Sequence, residues 1–325
     1  MTTFVIKVIA IICMLLSHIA AVFRTHATYE LFNLLVLFSW IGGIAFPIFA
    51  YLIAQGCKHT KNMSKYLLRL GIFALVSEIP FDLAFSRYMT DEGIMRFNIS
   101  FLANTNVFYT LFLGVACIAI YEKLKKKKRQ WAALFAILLF PLIILMNFTP
   151  FADYGLIISR IVSAIGVVSV FCITHFLPDA CETSEMTISR KIIPIISVLP
   201  MLFMASMFQT DYAAFGVGLI FILYLSNPEN KVSQISVLIA GIVYHYGIHI
   251  FSEQAQLVDG IVVLTGSYVL NRHELYAFLF ALMSVVIIFL YNGKQGPKFK
   301  WAFYVFYPAH LAVLAAIWWL IFIVV

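Results

Sequence analysis

Residues 4–23, FVIKVIAIICMLLSHIAAVF, form an apolar stretch in which Lys7 is the one charged residue. A helix of this length rises about 30 Å, which is the thickness of the hydrocarbon core of a bilayer. Similar stretches recur to the end of the chain, so that 63% of its 325 residues are hydrophobic and 11% are charged. A soluble domain carries roughly 25% charged residues, and the composition therefore indicates an integral membrane protein.

The length and uniformity of these stretches predict the fold class. Inside lipid every backbone amide needs an internal partner, and the stretches lack the alternation of barrel strands. We therefore expect an all-α, polytopic membrane helix bundle of about eleven transmembrane helices, or ten, in a single domain over residues 1–325. The predicted spans are residues 4–23, 30–54, 66–85, 106–122, 131–148, 153–175, 192–208, 211–226, 232–251, 275–291 and 301–324.

Two segments depart from this simple pattern. The second span contains Gly42, Gly43 and Pro47, so we expect a kinked or broken helix there. Residues 252–274 are predicted to form a loop, and its short apolar stretch, Ile261–Leu264, is too short to cross the membrane but could re-enter it.

The basic residues predict the orientation of the chain. Lysines and arginines concentrate in alternate loops, and cytoplasmic loops carry such an excess. The N-terminus is therefore expected in the cytoplasm, and the formal net charge of +7 does not indicate nucleic acid. The basic loops hold Lys58, Lys61, Lys65, Lys123, Lys125, Lys126, Lys127, Lys128, Arg129, Arg190, Lys191, Lys231, Lys294, Lys298 and Lys300.

Carboxylates inside a predicted span require an explanation, because a charged side chain at the bilayer centre is costly. Glu78 and Asp82 are four residues apart and share one face of the third span. A structural interpretation pairs them with Arg160, or with capping amides at a helix break near Pro80. A functional interpretation places them in a buried site.

Histidines provide the candidate bases. His18 lies in the outer half of the first span, where a neutral imidazole could accept a proton. Tyr307 and His310 share a face of the last span. His245 and His249 have a spacing that can hold zinc, but no acidic residue completes an H-E-x-x-H motif, so we expect no metal. Such residues fit either an enzyme that acts on an anionic cytosolic donor or a transporter with a proton relay.

Consecutive motifs carry a resemblance to a known family. The chain resembles the TraX family and, more distantly, the superfamily of transmembrane acyltransferases. The motifs are Phe46–Tyr51, Gly56–Asn62, Tyr66–Leu70, Ser77–Leu83, Asn106–Leu111, Asp153–Gly155 and Phe306–Leu311.

The resemblance implies acyl transfer from an acyl-CoA, because the founding TraX protein is associated with N-terminal acetylation of conjugative pilin. His18 maps onto the histidine of an Asp-His-x-Gly motif, in which Ser17 replaces the aspartate and Ala20 the glycine. Gly43 stands where an arginine commonly precedes the Phe-Pro-Ile-Phe run. These departures leave a catalytically silent family member as a further alternative.

The resulting hypothesis is an acetyltransferase of the bacterial cytoplasmic membrane that uses acetyl-CoA and a peptide, glycan or lipid acceptor at the outer face. His18, Asp82 and Glu78 are the expected catalytic residues. The expected substrate and oxyanion contacts are Asn106, Thr110, Tyr307 and His310, and the expected donor-binding residues are Arg69, Lys58, Lys65 and Lys61.

Overall fold

The computed structural model describes residues 1–89, 95–97, 104–126, 189–227, 230–258, 261–297 and 299–324. In this part of the chain the helices follow the predicted spans. They are α1 (Thr3–Phe23), α2 (Tyr29–Gly42), α3 (Ala45–His59), α4 (Met63–Phe85), α5 (Val107–Lys126), α6 (Ser189–Met207), α7 (Ala213–Leu225), α8 (Lys231–Ile250), α9 (Arg272–Phe289) and α10 (Lys300–Trp319). The spans predicted at 131–148 and 153–175, with the motif at Asp153–Gly155 and with Arg160, lie outside the described residues.

Several described helices have the length and composition of membrane spans. Within the described residues, four segments are long and apolar enough to cross a bilayer: Thr3–His26, Tyr29–His59, Arg272–Phe289 and Trp301–Phe322. Shorter apolar helices cover Val107–Glu122, Val198–Met207 and Ala213–Leu225. A helical membrane protein is therefore confirmed, whereas the total of about eleven spans stays a prediction.

Helix α4 shows the membrane character in its side chains. Leu68, Ile72, Leu75 and Ile79 recur at helical spacing, and all four are exposed on one face. The carboxylates of Glu78 and Asp82 are completely buried. This polarity is the reverse of a helix on a soluble protein, and it is the arrangement that a lipid solvent favours. Pro80 lies inside α4, and the helix continues through it to Phe85.

The second predicted span is broken, as its glycines indicated. α2 ends at Gly42, and α3 begins at Ala45. A Cβ atom at Gly42 would lie 2.2 Å from Cβ of Ser17, so α1 and α2 approach each other there more closely than any larger residue allows. The break therefore coincides with a close helix–helix contact beside His18.

Two antiparallel hairpins accompany the helices of the described residues. One pairs β1 (Arg87–Met89) with β2 (Met95–Phe97), and the other pairs β3 (Phe251–Val258) with β4 (Ile261–Leu270). The prediction of a loop over residues 252–274 was wrong, because most of this segment is paired strand. Its apolar, β-branched residues favour a hairpin, and pairing the strands satisfies backbone groups that a loop would leave open. Ile261–Leu264 belongs to β4.

The chain divides into two compact units. Unit one comprises Met1–Leu52, Leu83–Phe97 and Leu225–Val325, and unit two comprises Ile53–Asp82 and Asn98–Tyr224. Within unit one, α1 packs against α2 and α10, while α9 packs against α2 and α8. Within unit two, α5 packs against α6.

The start of the chain is fixed to the loop that precedes α10. The amide of Thr3 donates to the carbonyl of Lys294 at 2.8 Å, and the amide of Asn292 donates to the carbonyl of Met1 at 2.9 Å. The N-terminus and Lys294 therefore lie at the same end of unit one. The distribution of basic residues predicted this shared side.

Candidate functional site

A pair of histidines joins the first and last helices of unit one. Nδ1 of His18, on α1, lies 2.7 Å from Nε2 of His310, on α10. His310 is buried, and His18 is half-buried. The distance is that of a strong hydrogen bond, so each ring fixes the direction of the other.

Aromatic side chains enclose this pair. The ring of Tyr307 lies 5.9 Å from that of His18, and the ring of Phe85 lies 5.5 Å from it, both with the edge toward a face. Nε2 of His18 has no hydrogen-bond partner among the described residues. Nε2 of His18 thus lies in apolar surroundings with its lone pair available within the described residues, which is what a general base requires.

Ser17 takes no part in orienting His18. Its hydroxyl donates to the carbonyl of Met14 at 3.3 Å, and its side chain faces Gly42 on α2. The structure therefore assigns the orientation of His18 to a residue from the opposite end of the sequence.

Gly43 lies in a close contact of its own. A Cβ atom there would lie 3.0 Å from the carbonyl oxygen of Ala277 and 3.2 Å from the hydroxyl of Tyr246. The approach of α9 and α8 leaves little room for a side chain as long as arginine at this position.

Unit two contains a second polar cluster, at the start of α5. Oε2 of Glu78 accepts from the backbone amide of Asn106 at 3.2 Å and also from the side-chain amide of Asn106. Both residues are completely buried, as are Asp82 and Ser77. Oε1 of Glu78 and the hydroxyl of Ser77 have no hydrogen-bond partner within the described residues. Of the two structural explanations for Glu78, capping by amides fits the geometry, although the amides come from the start of α5 rather than from a break at Pro80.

The expected oxyanion donors of unit two are already engaged. The side-chain amide of Asn106 donates to the carbonyl of Ala74 at 2.8 Å as well as to Glu78. The hydroxyl of Thr110 bonds to the hydroxyl of Thr210 at 3.1 Å and to the carbonyl of Asp211. Either residue would have to break these bonds before it could stabilise an oxyanion.

The expected donor-binding residues lie on α3, on α4 and between them. Nζ of Lys58 donates to the carbonyl of Leu223, at the end of α7, at 3.2 Å. Nε of Arg69 donates to the carbonyl of Lys65, one turn earlier, at 3.3 Å. Lys61 and Lys65 are exposed, so their ammonium groups are open to an anion.

Sequence reasoning did not single out Arg87. The guanidinium donates to the carbonyls of Ala84 at 2.6 Å and Val22 at 2.7 Å, and it lies 3.9 Å from the ring centroid of Trp318. Partial burial lowers the pKa of this guanidinium from its usual range. Arg87 therefore joins the ends of α1 and α4 beside α10. Its place just beyond a helix end was the one signal in the sequence.

Comparison with known proteins identifies the family. The model of a family described as TraX protein matches residues 3–165 and 168–318. This chain belongs to the TraX family. It is also 23% identical over 320 residues to the "Probable fimbrial assembly protein FimC, serogroup H1" of Dichelobacter nodosus, with 97% of this chain and 95% of that protein covered. No solved structure matches the chain. Membership confirms the resemblance carried by the sequence motifs.

Proposed function

We propose that this TraX protein is an acetyltransferase of the bacterial cytoplasmic membrane, which moves an acetyl group from acetyl-CoA to an amine or hydroxyl of an acceptor at the outer face. The hydrogen bond between His18 and His310 is the observation that carries this proposal. Because it engages Nδ1 of His18, Nε2 is the ring nitrogen that can take a proton from an acceptor.

The reaction needs no covalent intermediate on the protein. The acceptor nitrogen or oxygen attacks the thioester carbonyl carbon, while its proton passes to Nε2 of His18. The tetrahedral intermediate then expels the CoA sulfur, and the proton on His18 neutralises this leaving thiolate. Tyr307, whose ring lies beside His18 in the same unit, is an expected oxyanion donor.

Basic side chains near the end of α3 support the choice of donor. Lys61 and Lys65 are exposed, and together with Lys58 and Arg69 they form a positive field that attracts the phosphates of a cytosolic CoA thioester. Catalytic roles for Glu78 and Asp82 stay predictions, because the bonds of Glu78 also suit a structural role.

The relative from Dichelobacter nodosus directs the choice of acceptor. It is described as a fimbrial assembly protein, so a fimbrial subunit is the first acceptor to test. Mass spectrometry of envelope peptides and glycans should show an acetyl group in cells with the protein that is missing in cells without it. His18→Ala should abolish this difference, whereas His249→Ala, at an exposed histidine on α8, should preserve it. Unchanged acetylation in the His18→Ala cells would remove His18 from the mechanism.

A transporter is the second candidate, and the buried carboxylates of unit two favour it. Glu78 and Asp82 are completely buried, and Oε1 of Glu78 lacks a partner among the described residues. Substrate flux across sealed vesicles without acetyl-CoA would support this alternative. Saturable binding of acetyl-CoA without flux would support the enzyme, and failure to bind acetyl-CoA would indicate a silent family member.

A further inference from the structure

The two histidine rings of unit one meet end to end. Their planes are parallel within 2°, and their centroids are 5.0 Å apart, while the nearest nitrogens are separated by 2.7 Å. In a face-to-face stack the nitrogens would be about as far apart as the planes. Here the centroid distance exceeds the nitrogen distance by about the sum of the centroid-to-nitrogen lengths of the two rings. The two nitrogens therefore point directly at each other. The contact is therefore a linear hydrogen bond in the common plane of both rings.

The backbone of α10 determines which nitrogen carries the proton. Nδ1 of His310 lies 2.8 Å from the carbonyl oxygen of Phe306, and a carbonyl can only accept. Nδ1 of neutral His310 is thus the protonated nitrogen, and its Nε2 presents a lone pair. That lone pair accepts the proton on Nδ1 of His18, which leaves the lone pair of His18 on Nε2.

The packing of His310 holds this arrangement in place. The ring of Phe306 stacks on that of His310 with a centroid distance of 4.8 Å and an angle of 15°. His310 itself is only 7% exposed. Rotation of its ring would lose both the stacking contact and the bond to the Phe306 carbonyl.

We propose that His310 is a positioning residue, which holds His18 in the Nδ1–H tautomer and so directs the basic lone pair of Nε2 toward the acceptor. This inference rests on the proposed acetyltransferase function. It gives His310 the task that a carboxylate performs for many catalytic histidines, and it explains how the histidine can work although Ser17 does not contact its ring.

Two substitutions separate the acceptor role of His310 from its packing. His310→Gln places an amide oxygen near the position of Nε2, where it can accept from His18. His310→Asn is too short to reach His18 but keeps a donor near the carbonyl of Phe306. We expect acetylation of the envelope acceptor to fall about 10-fold or more in His310→Asn, with KM for acetyl-CoA unchanged, and to recover in His310→Gln.

Nitrogen-15 NMR of histidine-labelled protein in nanodiscs gives a readout that needs no acceptor. The signals of His18 are identified by their loss in His18→Gln. In the native protein and in His310→Gln, Nδ1 of His18 should be the protonated nitrogen. In His310→Asn this preference should disappear.

The outcomes distinguish this inference from the proposed function. Native turnover and an unchanged His18 tautomer in His310→Asn would overturn the positioning role while leaving an acetyltransferase intact. Equal loss in His310→Asn and His310→Gln, with the Nδ1–H tautomer present in both, would also overturn it. Equal acetylation in cells with and without the protein would instead overturn the proposed function, whatever the tautomer of His18.

Discussion

The two polar clusters of this TraX protein use buried hydrogen bonds in opposite ways. In unit one the bonds run in a line from the Phe306 carbonyl through His310 to His18, and the line ends in a nitrogen with no partner among the described residues. In unit two the donors of Asn106 turn inward onto Glu78 and Ala74. The first arrangement leaves a ring nitrogen for chemistry, whereas the second commits the donors of Asn106 to holding helices together. Burial alone therefore does not identify a catalytic site in a membrane protein.

The comparison predicts the largest loss of stability in unit two. Asn106→Leu removes the side-chain donors to Glu78 and Ala74 and the cap of α5, so a buried carboxyl group loses part of its solvation. We expect a cost of about 3 kcal/mol, seen as a lower midpoint of thermal unfolding in detergent. Asn62→Ala is the matched control, since exposed Asn62 caps α4 through one bond of 2.8 Å, and it should cost about 1 kcal/mol or less. Equal losses would contradict a structural role for the buried cluster.

A steric change tests whether unit one depends on the close contact beside its histidine. Gly42→Ala adds a Cβ atom 2.2 Å from Cβ of Ser17, so α1 and α2 must move apart. We expect a loss of roughly 2 kcal/mol in the same unfolding assay, together with lower acetylation. Gly218→Ala is the control, because among the described residues its added Cβ meets only Leu202, at 3.9 Å. Native stability in Gly42→Ala would show that the contact tolerates a larger residue.

The connection between helix ends in unit one should have a smaller effect. Arg87→Met removes two hydrogen bonds to backbone carbonyls and the contact with Trp318 but keeps much of the apolar volume. We expect a loss of about 1–2 kcal/mol. The guanidinium of Arg69 is hydrogen-bonded, within the described residues, to its own helix turn, so Arg69→Met should lose about 0.5 kcal/mol or less. A larger loss of stability in Arg69→Met than in Arg87→Met would contradict the anchoring role of Arg87.

The smallest effect is expected from a change at Glu78, whose role differs most between the structural and catalytic interpretations. Glu78→Gln keeps an acceptor for the two donors of Asn106 and nearly the same shape. We expect a stability change of about 1 kcal/mol or less and acetylation within about threefold of the native level. Loss of acetylation with an unchanged unfolding midpoint would return Glu78 to the catalytic residues, as the sequence alone suggested.

The sequence was sufficient for the features that depend on the solvent. The length of the apolar stretches predicted helices, because lipid offers backbone amides no other partner, and the glycines predicted the break between Gly42 and Ala45. The motifs were sufficient for the family, and the spacing of Glu78 and Asp82 was sufficient to place both on one face of α4.

The partners of the site residues required the tertiary structure. His18 and His310 are 292 positions apart, and no local pattern shows which of several intramembrane histidines will meet. The same limit applies to Asn106 and Glu78, and to Arg87, whose bonds join separate helix ends. Periodicity fixes the face of a helix on which a side chain lies. Only the packing of helices decides which residues lie opposite that face, and a side chain's hydrogen-bond partners depend on this packing.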